Sequence, residues 1–380
     1  MELFSDKGKC CGCTACASAC PKNAIVMKND ASGFVYPEIN QELCVECGMC
    51  KRVCAFSTEL IDSVSDKAPR VYAVVNKDTA VYKKSSSGGF FTALANEAIN
   101  QNGVVYGAVF DKDFKVKHIR GTKQADIEAM RGSKYVQSNL DGVFESVKND
   151  LKASKLVMFV GTGCQVGGLK KYLNKDYDNL VTVDIVCHGV PSQKLFDDYK
   201  ETLEKKYKAK VKSFSFRAKK LKGQIQDIEA VFDNGKVYSE YPDIDAYRNM
   251  FAKSFTLRPS CFECPYATGK RVGDITIGDF WGIEKALPDF KKELGNSLAI
   301  ISTERGERLF NSVKEQLEVR ESELQRALQP SLKSPAKKPA NYNEVISDFE
   351  KNGYEYISKK YSIVPLTQRV KRKIKKALNR

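Results

Sequence analysis

Cys10, Cys13, Cys16 and Cys20, followed by Pro21, spell C-x-x-C-x-x-C-x-x-x-C-P, and Cys44, Cys47, Cys50 and Cys54 repeat the spacing. Thiolates at these intervals suit a pair of 4Fe-4S clusters. Three sulfurs of one loop reach one cluster, while the fourth opens the next segment and ligates the other. The expected sets are Cys10, Cys13, Cys16 and Cys54 on one cluster, and Cys44, Cys47, Cys50 and Cys20 on the second. Zinc favours separated C-x-x-C pairs around one tetrahedral ion, a different pattern from a run of four. Ala55 stands where Pro21 stands in the first block, which loosens the turn without removing a ligand. Cys11 falls outside the spacing and reads as a bystander.

Nine of the 13 cysteines lie in the first 54 residues, which leaves Cys164, Cys187, Cys261 and Cys264. Four is the number one further cluster requires. Cys164 follows an apolar run in FVGTGCQVGGL, Cys187 ends another in DIVCHGVPS, and RPSCFECPYA supplies a C-x-x-C. Strand ends of a parallel sheet gather in space, so the first two can converge while a loop delivers the others. Two buried structural cysteines beside an unrelated pair would satisfy the same spacing. The cysteine arithmetic by itself leaves both readings open.

SSSGGF (Ser85 to Phe90) comes just before a helical pattern, where free amides at a positive dipole end attract phosphate. An ordinary serine N-cap has the same look. Gly161, Gly163 and Gly167 in GTGCQVG do not match G-x-G-x-x-G, so a nicotinamide fingerprint is not supported. Those glycines are expected to let the backbone pass close to a cluster or a flavin.

These groups need a scaffold, and the 380 residues, 42% hydrophobic and 29% charged, are enough for two or three domains. Residues 1–57 read as one unit, with two short strands turning at Ala31 to Gly33 between the cysteine blocks. Residues 58–70 read as a polar linker. From Val71 apolar strands alternate with helices through Cys187, which implies an α/β body with a mostly parallel or mixed sheet covered by helices, over residues 71–330. Later strands are expected at Val211 to Arg217, Ile228 to Phe232 and Asp274 to Phe280, and a helix at Arg305 to Gln325. Residues 331–380 read as a second linker and a basic helical tail.

The net charge of +15 counts every thiol as neutral. Three clusters, each about −2 with its thiolates, reduce it to roughly +9. Arg369 to Arg380 hold seven Lys or Arg and no acid, so the remaining charge is largely a local tail and not a nucleic-acid surface. Val370, Ile374 and Leu378 recur at helical spacing there, which suits either a frayed terminus or reversible contact with an anionic membrane or acidic partner. No apolar run reaches the roughly 18 residues of a membrane span, and MELFSDKGKCCGC has no signal-peptide core. A reducing cytoplasm is the expected location.

The order SSGGFFTAL, GSKYVQS, GTGCQVGGL, CHGVPS, C-x-x-C and DITIGDFWG resembles the family of coenzyme F420 hydrogenase/dehydrogenase beta subunits, including relatives with an N-terminal dicluster ferredoxin. The resemblance covers about residues 1 to 330. It implies a flavin-binding α/β body holding FAD, with an iron-sulfur cluster nearby, and so favours the third cluster on Cys164, Cys187, Cys261 and Cys264. By motif, Ser86, Ser87, Gly88 and Gly89 would contact the FAD phosphates, and Lys134, Tyr135 and Ser138 would line the flavin. This chain departs at Gly163, where the family more often has proline. Asp279 and Trp281 lie in the GDFWG turn, where a turn cap and a core-packing indole are the plain alternatives. Of the two histidines, His118 is expected at the surface and His188 beside a cluster sulfur.

Clusters carry single electrons, whereas flavins take one or two. The expected function is an oxidoreductase that links a one-electron carrier, such as ferredoxin, to a two-electron organic acceptor or donor. A non-catalytic relay protein serving a partner enzyme is the rival. Hydride transfer at a flavin needs no acid/base dyad, in keeping with a chain of two histidines.

Overall fold

The computed structural model describes residues 3–4, 6–56, 59–62, 64, 68–219, 226–290 and 292–378. Between the cysteine blocks, Ile25–Asn29 (β1) and Val35–Ile39 (β2) pair antiparallel, with Ile25 opposite Ile39, as the turn signal at Gly33 predicts. The blocks themselves fold as short helical turns, Ala15–Ser18 and Met49–Arg52. Part of the expected linker 58–70 lies outside the described residues, and within it Glu59–Asp62 forms a helical turn whose Ile61 is buried.

The body is built on an eight-stranded mixed sheet. Its strands are Arg70–Asn76 (β3), Val104–Phe110 (β4), Val116–Gly121 (β5), Val157–Thr162 (β6) and Leu180–Ile185 (β7). A three-stranded sheet of Val211–Lys219 (β8), Gln226–Phe232 (β9) and Val237–Glu240 (β10) follows. Ile275–Asp279 (β11), Ser297–Ile301 (β12) and Leu317–Ser322 (β13) then return to the large sheet, whose order is β13-β3-β12-β11-β7-β6-β4-β5. β4, β6, β7 and β11 run parallel, while β5, β12 and β13 join antiparallel to their neighbours.

Both faces of this sheet are covered, which is why its strands read as unbroken apolar runs. Val105, Met158 and Val183 pack with the helices Phe90–Asn100, Gln124–Met130 and Glu304–Val313 on one face. Their neighbours Val104, Tyr106, Val157 and Phe159 point the other way, toward Val143–Lys152 and Gly163–Leu173. The N-terminal module docks on this second face, where Cys13, Ala15, Val53, Ala55 and Ile61 share one hydrophobic cluster with Phe144, Leu169 and Tyr266.

Two expectations change at the C-terminal end. The helix expected at Arg305 to Gln325 stops at Val313, and Leu317–Ser322 is the edge strand β13 paired with β3. The alternation in LEVRES is a strand period, and the edge of β3 was free to accept it. Nor are residues 331–380 all linker and tail. The helix Tyr342–Tyr361, kinked at Gly353, buries Val345, Phe349, Tyr354 and Ile357 in the cluster built around the small sheet. Among the described residues no helix is long and apolar enough to cross a membrane.

Candidate functional site

The two N-terminal cysteine blocks interleave. Cys20, Cys44, Cys47 and Cys50 line one shallow cavity with Pro21, Gly48 and Met49. Cys16 is surrounded by Cys13, Cys10 and Cys54, and its thiol is pushed up first by burial and then by those three neighbours. The fourth cysteine of each block therefore stands with the first three of the other. Backbone amides of Gly12, Ala15, Ala17 and Phe56 face Cys10, Cys13, Cys16 and Cys54, and the Ala24 amide donates to Cys20 Sγ at 3.3 Å. Sulfurs ringed by donors suit an anionic cluster, whose potential such hydrogen bonds tune.

A second cavity gathers Cys164, Cys187, Cys261 and Cys264 with Gln137, His188, Arg258 and Arg271. The carboxyl end of β6 leads into Cys164 in the first turn of Gly163–Leu173, and the end of β7 leads into Cys187. The turn Pro259–Glu263 presents Cys261, and Cys264 follows it. Arg271 holds this loop: it donates to the Tyr266 and Thr268 carbonyls at 2.7 and 3.0 Å and pairs with buried Asp184 at 2.7 Å. Burial, then the Cys164 charge among its neighbours, pushes the Cys261 and Cys264 thiols up to about 12. Cys164 goes the other way, to about 7, because the Cys11 thiol donates to it.

Cys11 is thus not a bystander in space. Its thiol lies between Cys13 and Cys164 and is hydrogen-bonded to both, so it stands where the N-terminal cysteines meet the body cavity. No spacing rule could have marked it, since its role depends on which surface the module docks against. The glycines of GTGCQVGGL serve that docking. A Cβ at Gly167 would overlap the Tyr266 hydroxyl, and one at Gly168 would sit 2.8 Å from Cys13 Sγ. Tyr266 in turn donates to the Ala55 carbonyl of the module. Gly167 therefore admits a tyrosine, and Gly168 lets the backbone pass close to Cys13, one of the expected cluster ligands.

The Ser-Gly loop lies on the same carboxyl edge. Registers run Val74, Ser297, Asp279 across β3, β12 and β11, and β7 follows with Ile185 opposite Ile277. Gly89 occupies the left-handed region at φ +85 and caps Phe90–Asn100 without a side-chain bond. Gly88 packs on the sheet: a Cβ there would overlap the Val74 carbonyl and lie 2.7 Å from the Ser297 amide. Ser86 Oγ accepts from the Ser133 amide at 2.9 Å, and Ser87 Oγ donates to the Asn296 carbonyl at 2.9 Å. Lys219, which sequence reasoning passed over, reaches from β8 to donate to the Ser87 and Tyr82 carbonyls at 2.6 and 2.9 Å. Burial lowers its pKa to about 7, and the Arg217 charge adds to that. Among the described residues, buried Thr92 Oγ1 in the first turn of the following helix has no hydrogen-bond partner.

The remaining expected residues scatter. Lys134 donates to the carbonyls of Ala129, Met130 and Arg131, closing the helix Gln124–Met130, and burial lowers its pKa to about 7. Tyr135 packs between Phe216 and Phe251, with the Arg248 guanidinium 4.6 Å from its ring centre. Ser138 faces His118, which is buried and not at the surface. His118 Nε2 donates to the Val160 carbonyl at 2.9 Å, Nδ1 accepts from Ser138 Oγ at 2.7 Å, and the ring stacks on Phe159. His188 lines the second cavity, but its Nε2 bonds Ser254 Oγ at 3.1 Å. Asp279 pairs with Arg217 at 2.6 Å, and Trp281, 59% exposed, is not a core residue.

Residues 71–145 match the family model for the N-terminal part of the coenzyme F420 hydrogenase/dehydrogenase beta subunit, and residues 154–326 match its C terminus. Residues 9–58 match a 4Fe-4S dicluster domain. The chain belongs to the family of coenzyme F420 hydrogenase/dehydrogenase beta subunits, with a dicluster domain ahead of it. It is an iron-sulfur, electron-transferring oxidoreductase-type protein of that family.

Among this family's relatives, a component of the F420H2 dehydrogenase of Methanosarcina mazei, named as a subunit of it, is 21% identical over 331 residues, 82% of this chain and 84% of that protein. The coenzyme F420-dependent sulfite reductase of Methanocaldococcus jannaschii is 25% identical over 389 residues, and this chain spans 55% of its length. A chain of the F420-reducing NiFe hydrogenase complex from Methanosarcina barkeri is 18% identical, covering 77% of this chain and 91% of that one, with a TM-score of 0.47.

Proposed function

We propose that this chain exchanges electrons between a one-electron protein carrier such as ferredoxin and a two-electron organic acceptor or donor, using three 4Fe-4S clusters and FAD. The observation that carries the reading is the shared sheet edge. The Ser-Gly loop on β3 and Cys187 after β7 are three strand spacings apart, about 14 Å at the usual 4.8 Å per strand. Crevices at the carboxyl ends of parallel strands are where open α/β sheets bind ligands. When bound, the clusters supply single-electron transfer and the flavin couples it to two-electron chemistry.

Cys10, Cys13, Cys16 and Cys54 would hold one cluster, Cys20, Cys44, Cys47 and Cys50 the second, and Cys164, Cys187, Cys261 and Cys264 the third. Ser86, Ser87 and Gly89 shape the loop proposed for the FAD diphosphate, with the open amides of Phe90–Asn100 and the Lys219 ammonium as its counter-charge. Tyr135 offers an aromatic wall beside Arg217. As working units we take 1–57 for the two-cluster module and 71–330 for the flavin body, with 58–70 between them. The names of the relatives make the deazaflavin F420 the first organic partner to try.

The test is a cofactor count on anaerobically prepared protein, followed by turnover. Twelve iron, twelve sulfide and one FAD per chain are expected. Eight iron removes the third cluster, and a preparation without FAD removes the flavin assignment. Reduced ferredoxin oxidised by the chain with F420 supports the enzyme. That the Methanosarcina mazei relative is named as part of a larger dehydrogenase favours a second reading, a relay that turns over only with a partner enzyme.

The basic tail has a proposed role as well. Leu366–Leu378 docks through Gln368 and Arg372, which reach Asp243 Oδ2 at 2.6 and 2.9 Å. Leu366, Val370 and Ile374 are 77%, 46% and 56% exposed, on the side away from those contacts. An apolar stripe with cationic flanks fits peripheral, reversible contact with an anionic membrane.

A further inference from the structure

Arg258 is fully buried, at 0% exposure, three residues before Cys261. Its Nε donates to the Cys10 carbonyl at 2.7 Å, Nη1 to Gln137 Oε1 at 3.0 Å, and Nη2 to the Val35 carbonyl at 2.9 Å. Nη2 also points at Cys10 Sγ, 3.7 Å away. The guanidinium stacks 4.1 Å from the Tyr36 ring centre. All of these partners are neutral, and among the described residues no carboxylate pairs with it. An ion taken out of water without a counter-charge costs several kcal/mol, so a fold that keeps one has its anion nearby.

Two candidate anions adjoin it. Its backbone amide donates to Val190 and its carbonyl accepts from the Cys261 amide, both at 2.9 Å, which fixes it to the body cavity. Its side chain crosses to Cys10 in the docked module. Cys164 and Cys261 line the body cavity together with it, and Cys10 Sγ faces its Nη2 from the module side. A 4Fe-4S cluster with four thiolates carries about −2 when oxidised and gains another charge on reduction.

We infer that Arg258 is the shared internal counter-ion of two clusters, the one at Cys10 and the one at Cys261, and that it raises the reduction potential of both. It is a positioning residue: it touches a ligand sulfur and the turn carrying another, and sets how readily each site accepts an electron. Its fork of donors also ties the module to the body, so the charge and the contact that brings the sites together come from one side chain. This rests on the cluster reading above, which the iron count tests separately.

The experiment is a redox titration of the anaerobic holoprotein, following each cluster by its paramagnetic resonance, for wild type, Arg258→Gln, Arg258→Met and Arg258→Lys. The neutral variants should lose at least tenfold in the reduction equilibrium constant of two clusters, about 59 mV for one electron. The cluster of Cys20, Cys44, Cys47 and Cys50 should not move. Arg258→Lys keeps the charge and should hold both potentials within threefold of wild type, with a lower melting temperature from its lost fork. Unchanged potentials in the neutral variants, or a shift in one cluster only, overturn the assignment. If neither neutral variant folds, the lysine protein decides: retained potentials support the charge, and a fall in both overturns it. Twelve iron with unmoved potentials would sink Arg258 alone, whereas eight iron in wild type would sink the third cluster.

Discussion

At the scale of single residues, burial decides more than chemical type. His118 was expected in water and instead sits against Phe159 with both ring nitrogens used. Burial lowers its pKa to about 4, against about 6.5 in an unfolded chain. Between those values the unfolded chain binds a proton that the folded chain refuses. Stability therefore falls as pH drops through about 6.5 and levels off below about 4. Urea unfolding at pH 7, 6 and 5 should show the difference between wild type and His118→Gln moving in the variant's favour by up to about 1.4 kcal/mol per unit. A constant difference would contradict this account. Lys219 offers the cleaner probe of the Ser-Gly loop, because any side chain at Gly88 strikes the sheet and unfolds the site for another reason. Lys219→Met should weaken FAD binding about tenfold, the loss of one charge-assisted contact, with iron content unchanged. Undiminished flavin affinity would place the diphosphate elsewhere.

At the scale of elements, the helix Leu366–Leu378 shows that a periodic pattern marks an amphipathic helix without saying which of its faces the body holds. Val370 and Ile374 share one exposed stripe with Leu366, while Gln368 and Arg372 hold the opposite face to the body. The side chain of Leu378 lies outside the described residues. A chain ending at Pro365 should keep wild-type iron, flavin and turnover, and should lose co-sedimentation with anionic vesicles. Three exposed apolar residues and the cationic flanks predict binding at low salt that fades once the Debye length falls below about 8 Å. Equal sedimentation of both proteins at low salt would rule out membrane contact through this helix.

At the scale of the whole molecule, the dicluster module and the body share one hydrophobic cluster and are expected to unfold together. Val53 and Ile61 are buried in the same cluster as Phe144 and Leu169, and Tyr266 and Arg258 bond the module's carbonyls. Each such aliphatic side chain contributes about 1.5 to 3 kcal/mol by leaving water, so separation exposes surface neither part can leave bare. Thermal unfolding followed by cluster absorbance and by far-ultraviolet dichroism should give coincident transitions. A chain starting at Lys67 should melt at least 10 °C lower or aggregate, since about 1 kcal/mol shifts a domain of this size by roughly 2 to 4 °C. Two separated transitions would show that the module folds independently.

The sequence alone marked the N-terminal dicluster domain, because C-x-x-C spacing within one loop is a local property that survives any packing. It also determined the parallel strands β4, β6 and β7, whose apolar runs reflect burial on both faces, and the order of motifs that carries the family resemblance. What it left undecided depends on contacts far apart in the chain. Cys11 and Cys164 are 153 positions apart, and Arg258 and Cys10 are 248 apart. Which surface receives the module, why Gly167 and Gly168 are glycines, and where Arg258 places its charge follow from docking. β12 and β13 joined the sheet because β3 and β11 had edges to fill, a vacancy no window of residues reports. Tertiary structure decided these points because burial and pairing set the energy of a charge, a glycine or an edge strand, and both are properties of neighbours brought together only by folding.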